Sequence, residues 1–340
     1  YDMKKGLFVL LAILISGCSE YTEPQESDIA VFERYLSAKP VSPTDDVNIA
    51  SIYKEGDDLF SPILSIQRQK LAEAEEELKP LVEKGDPEAM FWMAKIIYRS
   101  SIKDTPKALA LLKESAKTNP YAAMALFPDN DQCQMYFPSE CSEKWVEQAK
   151  ILFSEDVKNG DVRAVFYKEK LKKEHSVYID AIINTAKNNY FYPLVDYANQ
   201  IINDSKSSQE LNNLAIRLLV YAKEKNFVPA IESLMRYENS INGRSSGEYN
   251  KLIEQGVMLG SNRAWIGYEI KTRKDRNISD FDKYVVSKAL YYFNGRDLGL
   301  SLIKPIADKN ELDLANKKAQ EMVDAVIDVI YIDGANPRKD

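Results

Sequence analysis

Residues 74–126, AEEELKPLVEKGDPEAMFWMAKIIYRSSIKDTPKALALLKESAKTNPYAAMAL, carry apolar residues at spacings of three and four. This is the period of an α-helix that lies on a core with one face. A turn residue, Gly85 or Asn119, ends each of two helical patterns, and Ala89 or Ala123 follows four positions later in the next pattern. Glycine and asparagine tolerate the left-handed conformation that ends a helix, and a small alanine lets two helices approach closely. These residues therefore predict consecutive helical hairpins.

The same pattern recurs along the chain. Successive turn residues lie 34, 41, 29, 37 and 34 residues apart. One hairpin cannot bury its apolar face alone, so neighbouring hairpins must stack, as in an α-solenoid. The further copies, of which the second is degenerate, are Gly160 with Ala164, Asn189 with Pro193, Asn226 with Ala230, and Gly260 with Ala264.

The composition also favours helices over turn-rich β-structure. Only 13 Gly and 14 Pro occur in 340 residues, and no stretch sustains the alternation of a β-strand. We therefore predict an all-α fold. Its last helix is expected at residues 312–332, as a C-terminal cap before a polar tail at residues 333–340. The apolar stripe of this helix would include Ala319, Val326 and Ile330.

The repeats resemble Sel-1-like repeats, which are relatives of the tetratricopeptide repeat. The resemblance is closest over residues 72–126. There, Tyr98 and Asp104 match the family's loop between repeats, and the pair Lys107 and Ala108 matches the start of the following helix. A shorter match, YYFNGRD, occurs near the C-terminal end.

The resemblance implies a right-handed α-solenoid of helix-turn-helix repeats over residues 67–332. The 41-residue interval contains two cysteines and looks like a 34-residue repeat with an insertion at about residues 127–144. Solenoids of this family present a long concave surface to a partner.

A signal sequence is predicted at the N-terminal end. Lys4 and Lys5 precede nine apolar residues at 7–15, which is far short of the roughly 20 residues of a membrane-spanning helix but fits the apolar core of a signal peptide. The tetrapeptide ISGC, which ends in Cys18, resembles the bacterial lipobox, whose cysteine is acylated and becomes the mature N-terminus. We expect residues 3–17 to be a lipoprotein signal peptide. An ordinary secretory signal with a chance cysteine is the alternative.

The lipobox resemblance also implies a location. Ser19 follows the cysteine where aspartate would retain a lipoprotein at the inner membrane, which implies an outer-membrane lipoprotein. Its domain would face the periplasm, and exposure at the cell surface stays open. Acyl chains contribute roughly 0.8 kcal/mol per buried CH₂, so three chains anchor stably. Residues 18–66 are expected to hold the lipidated N-terminus, a polar tether and an irregular lead-in.

Cys133 and Cys141 favour a disulfide bond. Once the lipobox cysteine is set aside, two cysteines are left, and they lie close together in sequence. The periplasm expected for this protein is an oxidising compartment. A metal-binding pair is the rival interpretation, but two thiolates without a neighbouring histidine make an incomplete zinc site.

Charge and composition disfavour several function classes. Forty-five Lys and Arg against 52 Asp and Glu give a net charge of −7, which argues against nucleic acid as the main partner. His175 is the single histidine, so histidine-based metal sites and catalysis are disfavoured, and the residue is expected to be a solvated helix end. Residues 243–247, GRSSG, match the G-x-S-x-G string, but a helix end precedes them, so Ser245 is expected in a loop. No catalytic residue, metal or cofactor is predicted.

The sequence contains 20 tyrosines, and most are expected to pack between helices. Those on inner helices would line the concave groove, because Tyr and Trp are common interface anchors. The candidate partner-binding residues are Trp145, Tyr178, Tyr190, Tyr192, Tyr221 and Trp265.

The combination of lipobox, tether and Sel-1-like repeats resembles the immunity lipoproteins that neutralise type VI secretion phospholipase effectors. This resemblance implies a protein partner, and occlusion of a toxin by the groove or by a rim loop. The alternative within the binding class is an envelope or surface adaptor for a host or cell-wall component. A hydrolase acting on peptidoglycan or a β-lactam is the least favoured interpretation.

Overall fold

The structure is a computed structural model that describes part of the chain. The described residues are 20–38, 43–100 and 102–336, without the side chains of residues 99, 100 and 102. The predicted signal peptide, Cys18 and residues 337–340 lie outside them. Within the described ranges there is no β-strand, and none of the helices is long and apolar enough to cross a bilayer.

Seventeen α-helices follow one another over the described part of the chain, with two short 3₁₀ turns at Ile102–Asp104 and Leu300–Leu302. The helices are α1 (Glu26–Ala38), α2 (Phe60–Gln67), α3 (Leu71–Glu83), α4 (Pro87–Ser100), α5 (Thr105–Ser115), α6 (Pro120–Met124), α7 (Asp131–Tyr136), α8 (Glu143–Lys158), α9 (Val162–Lys170), α10 (His175–Lys187), α11 (Tyr192–Asn203), α12 (Gln209–Lys223), α13 (Val228–Ile241), α14 (Gly247–Met258), α15 (Asn262–Lys274), α16 (Asp280–Asn294) and α17 (Lys309–Asp324).

The helices form a linear array. From α2 onward each helix packs against the next one in sequence, except that α6 packs against α8 across the short α7. The hairpins are α3–α4, α5–α6, α8–α9, α10–α11, α12–α13, α14–α15 and α16–α17. An array in which each unit contacts its neighbours is an α-solenoid. The predicted all-α solenoid is therefore confirmed.

Left-handed residues join the two helices of five hairpins. The φ angles are +86° at Gly85, +87° at Gly160, +65° at Asn189, +58° at Asn226 and +71° at Gly260. Glycine and asparagine adopt this conformation more readily than other residues. The predicted turns are confirmed at these positions.

Asn119 makes its turn in a different way. Its backbone is extended, with φ −112°, and its side-chain oxygen accepts hydrogen bonds from the amides of Tyr121 at 2.9 Å and Ala122 at 3.4 Å. Pro120 explains the difference, because the residue before a proline is pushed into extended conformations. Asn119 therefore begins α6 as a helix cap and does not end α5 as a left-handed residue.

The alanines that follow the turns mark close approaches between helices. The clearest case is α14 against α15, where a Cβ added at Gly256 would lie 2.5 Å from the Cβ of Ala264. No larger side chain fits at this crossing. The alanines that are fully buried in this way are Ala89, Ala123, Ala164, Ala230 and Ala264.

The N-terminal arm is docked on the array. Tyr21 packs edge-on against Tyr178 with ring centroids 6.0 Å apart, and Phe32 in α1 is buried against Tyr197 at 4.8 Å. Helix α1 contacts α10 and α12. The tether was predicted at about residues 19–27, but residues 20–27 belong to the packed structure, because Tyr21 and the helix that follows bury aromatic side chains.

The last helix is shorter than predicted. Helix α17 ends at Asp324, and residues 326–336, here called the C-terminal segment, continue without helix across the hairpins. The prediction of a helix at residues 312–332 is therefore wrong in its second half. Valine and isoleucine lose side-chain freedom in a helix, and the segment buries them elsewhere. Its buried apolar residues are Val329, Ile330, Tyr331 and Ile332.

Replacing Ala264 with leucine is expected to lower the free energy of unfolding by about 1–3 kcal/mol, because the added atoms overpack the crossing of α14 and α15. Urea unfolding followed by circular dichroism measures the change. Ala110→Leu, at an exposed position of α5, is the matched control and should stay within about 0.5 kcal/mol of the natural protein. Equal effects of the two substitutions would contradict the close approach.

Candidate functional site

A disulfide bond braces the connection between α6 and α8. Cys133 and Cys141 are bonded with their Cα atoms 6.0 Å apart, and Cys133 is buried. The side chain of Asn130 caps α7 by accepting a hydrogen bond from the amide of Cys133 at 3.0 Å. Residues 127–142, here called the disulfide loop, therefore have a fixed backbone. They lie within the predicted insertion.

The disulfide loop exposes a large apolar side chain. Met135 is 72% exposed, whereas its neighbours Tyr136 and Phe137 pack on Tyr98 with ring centroids 5.0 and 6.2 Å apart. A methionine side chain is unbranched and adapts to irregular surfaces. The loop therefore offers an adaptable apolar contact on a rigid base.

The disulfide loop is also acidic. It contains Asp129, Asp131 and Glu140 and no lysine or arginine. Glu140 forms an ion pair with Lys113 at 2.6 Å, and that hydrogen bond holds the pKa of the Glu140 carboxyl below its usual range. Asp129 and Asp131 are exposed. The charge on the solvent side of the loop is therefore negative.

Trp145 lies beside the disulfide loop. Its ring is half-buried, and its Nε1 donates a hydrogen bond to the backbone oxygen of Glu140 at 3.1 Å. The ammonium group of Lys144 lies 4.8 Å from the centre of the ring. Of the predicted partner-binding residues, Trp145 is thus attached to the exposed acidic surface.

Four other predicted partner-binding residues are core residues, which corrects the prediction. Tyr178, Tyr190, Tyr221 and Trp265 are buried. Trp265, for example, stacks on Phe293 at 5.1 Å, and its indole nitrogen donates to a backbone oxygen of α14 at 3.2 Å. Helical spacing cannot separate a groove-lining aromatic from one that packs between hairpins, because both lie on an inner stripe.

Tyr192, the sixth predicted partner-binding residue, contacts the C-terminal segment of its own chain. Its hydroxyl donates a hydrogen bond to the backbone oxygen of Tyr331. Gln67 reaches the same part of the C-terminal segment: its amide nitrogen donates to the oxygen of Val329 at 2.8 Å, and its side-chain oxygen accepts from the amide of Tyr331 at 2.8 Å. Because Gln67 bonds the backbone of Val329 and of Tyr331, two positions further on, from the same side, the backbone between them is extended. The missed signal was a glutamine at the end of an apolar helix, FSPILSIQ.

A buried polar cluster lies beyond this contact. Arg163 is 8% exposed, pairs with Asp161 at 3.0 Å and lies 4.0 Å from Glu88. Its guanidinium group also lies 4.6 Å from the ring centre of Tyr121. Asp333 of the C-terminal segment is 1% exposed, and its charge acts on Arg163. The guanidinium group thus lies near three carboxyl groups and forms hydrogen bonds with that of Asp161.

Tyrosine hydroxyls complete the cluster. The hydroxyls of Tyr167 and Tyr190 lie 3.3 Å apart, and the amide nitrogen of Asn336 donates to both, at 3.1 and 3.0 Å. Burial raises the pKa of the Tyr190 hydroxyl well above its usual value. Both groups are therefore neutral hydrogen-bonding partners for the end of the C-terminal segment.

His175 is not the solvated helix end that the sequence predicted. Its Nδ1 lies 2.8 Å from the backbone oxygen of Tyr21, and its Nε2 lies 2.8 Å from the buried carboxylate of Asp28. The same carboxylate accepts hydrogen bonds from the hydroxyl of Tyr197 and the amide of Gln25, both at 2.8 Å. His175 therefore joins the N-terminal arm to α10, a contact across 147 residues that no local pattern contains.

The G-x-S-x-G string lies in the turn between α13 and α14, as predicted from the helix before it. Ser246 caps α14 by accepting from the amide of Tyr249 at 3.1 Å, and its hydroxyl donates to Glu238 at 2.7 Å. Ser245 beside it is in the turn. Within the described residues, no group of three or more His, Cys, Asp or Glu side chains is placed to hold a metal ion.

No protein-family model and no curated protein matches the chain. The chain is similar to the crystal structure of a protective antigen present in uropathogenic Escherichia coli strains, which displays an SLR fold. The two are 12% identical with a TM-score of 0.34, over 80% of this chain and 69% of the antigen. The helix order described above defines the class of this protein as an α-solenoid of stacked hairpins.

Replacing both Cys133 and Cys141 with serine is expected to lower the free energy of unfolding by about 2–3 kcal/mol, because a short closed loop is released in the unfolded chain. Hydrogen exchange should rise most in the disulfide loop. The matched control is a reductant, which should reproduce the change in the natural protein and add nothing to the double variant. Unchanged exchange in residues 127–142 would contradict the bracing role.

Glu88→Gln is expected to change the pH dependence of stability. Burial raises the pKa of the Glu88 carboxyl above its usual 4.5, and Arg163 opposes this shift. The folded protein therefore holds the Glu88 proton more tightly than the unfolded chain does. The stabilisation that protonated Glu88 gives to the fold is fully present below pH 4.5 and is lost as the pH rises through the raised pKa of the folded state. Glutamine does not ionise. In urea unfolding between about pH 4 and pH 7, the variant should lose less stability than the natural protein.

The matched control for this comparison is Glu83→Gln at an exposed position of α3. Its stability should follow the natural protein across the same pH range. Parallel curves for the Glu88 variant and the natural protein would contradict the role given to Glu88.

Proposed function

We propose that the protein is a lipid-anchored binding scaffold, and that it serves as an immunity protein that neutralises a phospholipase-type effector of type VI secretion. It acts by stoichiometric binding and occlusion. The observation that carries the proposal is the disulfide loop, which presents exposed Met135 on a braced, acidic base. The resemblance of lipobox and helical repeats to such immunity lipoproteins supports the same role.

The binding surface is the disulfide loop and the adjoining face of α8, in place of an open groove. Helix α1 covers part of α10 and α12, and the C-terminal segment covers Gln67 and Tyr192. These surfaces are already occupied by the chain itself. Met135 and the exposed part of Trp145 are uncovered in the described structure.

The chemistry of this surface specifies its partner. Apolar Met135 suits an apolar depression, and the carboxylates of Asp129 and Asp131 suit a rim of lysine or arginine around it. The net charge of −7 steers a basic partner toward the protein at long range. Because the disulfide fixes the loop before binding, little conformational entropy is lost in the complex.

The proposed anchor places the domain close to the outer membrane, facing the periplasm. Cys18 would carry the acyl chains, and Tyr21 is already docked on α10. Three residues of extended chain span at most about 11 Å. An acylated Cys18 would therefore hold the solenoid against the bilayer, where a phospholipase would act.

Co-expression with the effector encoded beside this gene tests the proposal. The natural protein should restore growth and co-purify with the toxin. Met135→Asp should weaken the complex by about 30-fold or more, as expected for loss of an interface hot spot of about 2 kcal/mol. Isothermal titration with the purified proteins measures the change.

Ile241→Asp is the matched control, because Ile241 is also a large exposed apolar residue, at 58% exposure, and lies on α13 away from the disulfide loop. It should bind as the natural protein does. Unchanged binding by a folded Met135→Asp protein would reject the surface. Lethality that persists with no complex would reject the immunity role, and a gene neighbourhood without a lipase-like toxin would favour the envelope adaptor.

A further inference from the structure

The C-terminal segment is held as a solenoid would hold a peptide ligand. Gln67 forms two hydrogen bonds with the backbone at Val329 and Tyr331, and the hydroxyl of Tyr192 donates to the backbone oxygen of Tyr331. These contacts use main-chain atoms and do not depend on the sequence of the segment. Recognition of an extended peptide typically combines main-chain hydrogen bonds with enclosed positions for its side chains.

Enclosed positions for side chains are present as well. Ile330 and Ile332 are buried, and so are the side chains next to them. Gly334 follows where a side chain would be crowded, since an added Cβ would lie 3.2 Å from Phe91 and 3.3 Å from Tyr121. The order of features along the segment is branched apolar residues, a carboxylate and then a glycine.

The carboxylate of the segment, Asp333, and the nearby Arg163 each have a buried polar atom without a hydrogen bond. One oxygen of Asp333 accepts from the amides of Ala335 and Asn336, but the other is buried without a hydrogen-bond partner. Nη1 of Arg163 is likewise buried without a hydrogen bond and lies 4.0 Å from Glu88. A buried polar atom without a hydrogen bond is unfavourable, because it has lost its contact with water and gained no partner. The chain's own segment is therefore an imperfect occupant.

The connection between α17 and the C-terminal segment is partly exposed. Helix α17 ends at Asp324 and packs on α16, so it is held independently of the segment. Asp324, Ala325 and Asp328 in the connection are exposed. The connection itself is anchored, because Asp328 pairs with Arg68 and the amide of Ile327 donates to the backbone oxygen of Met258. The apolar residues that pack α17 on α16 form a core cluster separate from the one that contains residues 329–332.

We propose that Gln67, Tyr192 and Arg163 mark a binding site for an extended peptide. The C-terminal segment is its resident ligand, and a segment of a partner protein replaces it. The replacing segment has branched apolar residues followed by a carboxylate, and its carboxylate bonds Nη1 of Arg163. This inference does not depend on the immunity role or on the disulfide loop.

A labelled peptide with the sequence of residues 327–336, IDVIYIDGAN, tests the site on the full chain. The labelled peptide can bind only those molecules in which the resident segment has left the site. Its apparent affinity is therefore the intrinsic affinity multiplied by the fraction of molecules with an open site. Ile332→Ser weakens the resident segment and should therefore raise the affinity for the peptide at least tenfold over the natural protein. Leu112→Ser, which changes an equally buried residue in α5, is the matched control and should not raise it.

Two further variants define the site. Adding Gln67→Ala to the Ile332→Ser protein should lower peptide affinity at least tenfold, because two main-chain hydrogen bonds are lost. A peptide with aspartate in place of both isoleucines of IYID should not bind. Equal affinity of the Ile332→Ser and Leu112→Ser proteins, or equal binding of the two peptides, would overturn the proposal.

Hydrogen exchange in the natural protein gives an answer even where Ile332→Ser fails to fold. The amides of residues 329–332 should exchange through a local opening, at rates at least tenfold above those of the core amides of α12. Exchange of these amides only through global unfolding would show that the segment never leaves its site and would reject the proposal.

Discussion

The buried side chain of Gln67 connects the two ends of the repeat array. It hydrogen-bonds the C-terminal segment at Val329 and Tyr331, and the backbone oxygen of Gln67 accepts from the side chain of Asn262 at 2.8 Å. An amide buried among apolar residues is costly unless each polar atom is paired, and here both side-chain atoms are. Residues separated by more than 260 positions in sequence thus depend on one another.

This closure changes which surfaces of the solenoid are left uncovered. A repeat array normally offers a long surface to a partner, but here α1 covers part of α10 and α12, and the C-terminal segment covers Gln67 and Tyr192. Tyr190 and Trp265, which the sequence analysis expected to line a groove, are buried packing residues. The disulfide loop stays open, because an inserted segment lies outside the stacking pattern and so is free to expose Met135. The two proposals assign separate sites: one on this loop and one beneath the C-terminal segment.

Local features of the fold were predictable because they depend on neighbours in sequence. Gly85 and Asn226 end helices with their own backbone conformations, and Ala264 marks a crossing because a small residue must stand there. The pairing of Cys133 with Cys141 joins positions eight residues apart. In contrast, His175 was expected in solvent, because its partner Asp28 is contributed by a distant helix.

The amino-acid sequence by itself determined the helical hairpins, five of the six predicted turns, the stacking period and the cysteine-braced loop, since each follows from short-range sterics and hydrophobic periodicity. Tertiary structure alone decided the course of residues 326–336. A run of valine and isoleucine must be buried, but it can be buried as a helical stripe or as an extended chain. The side chain of Gln67, brought close by the stacking of all the hairpins, supplies main-chain partners for the extended form, and so the helix ends at Asp324.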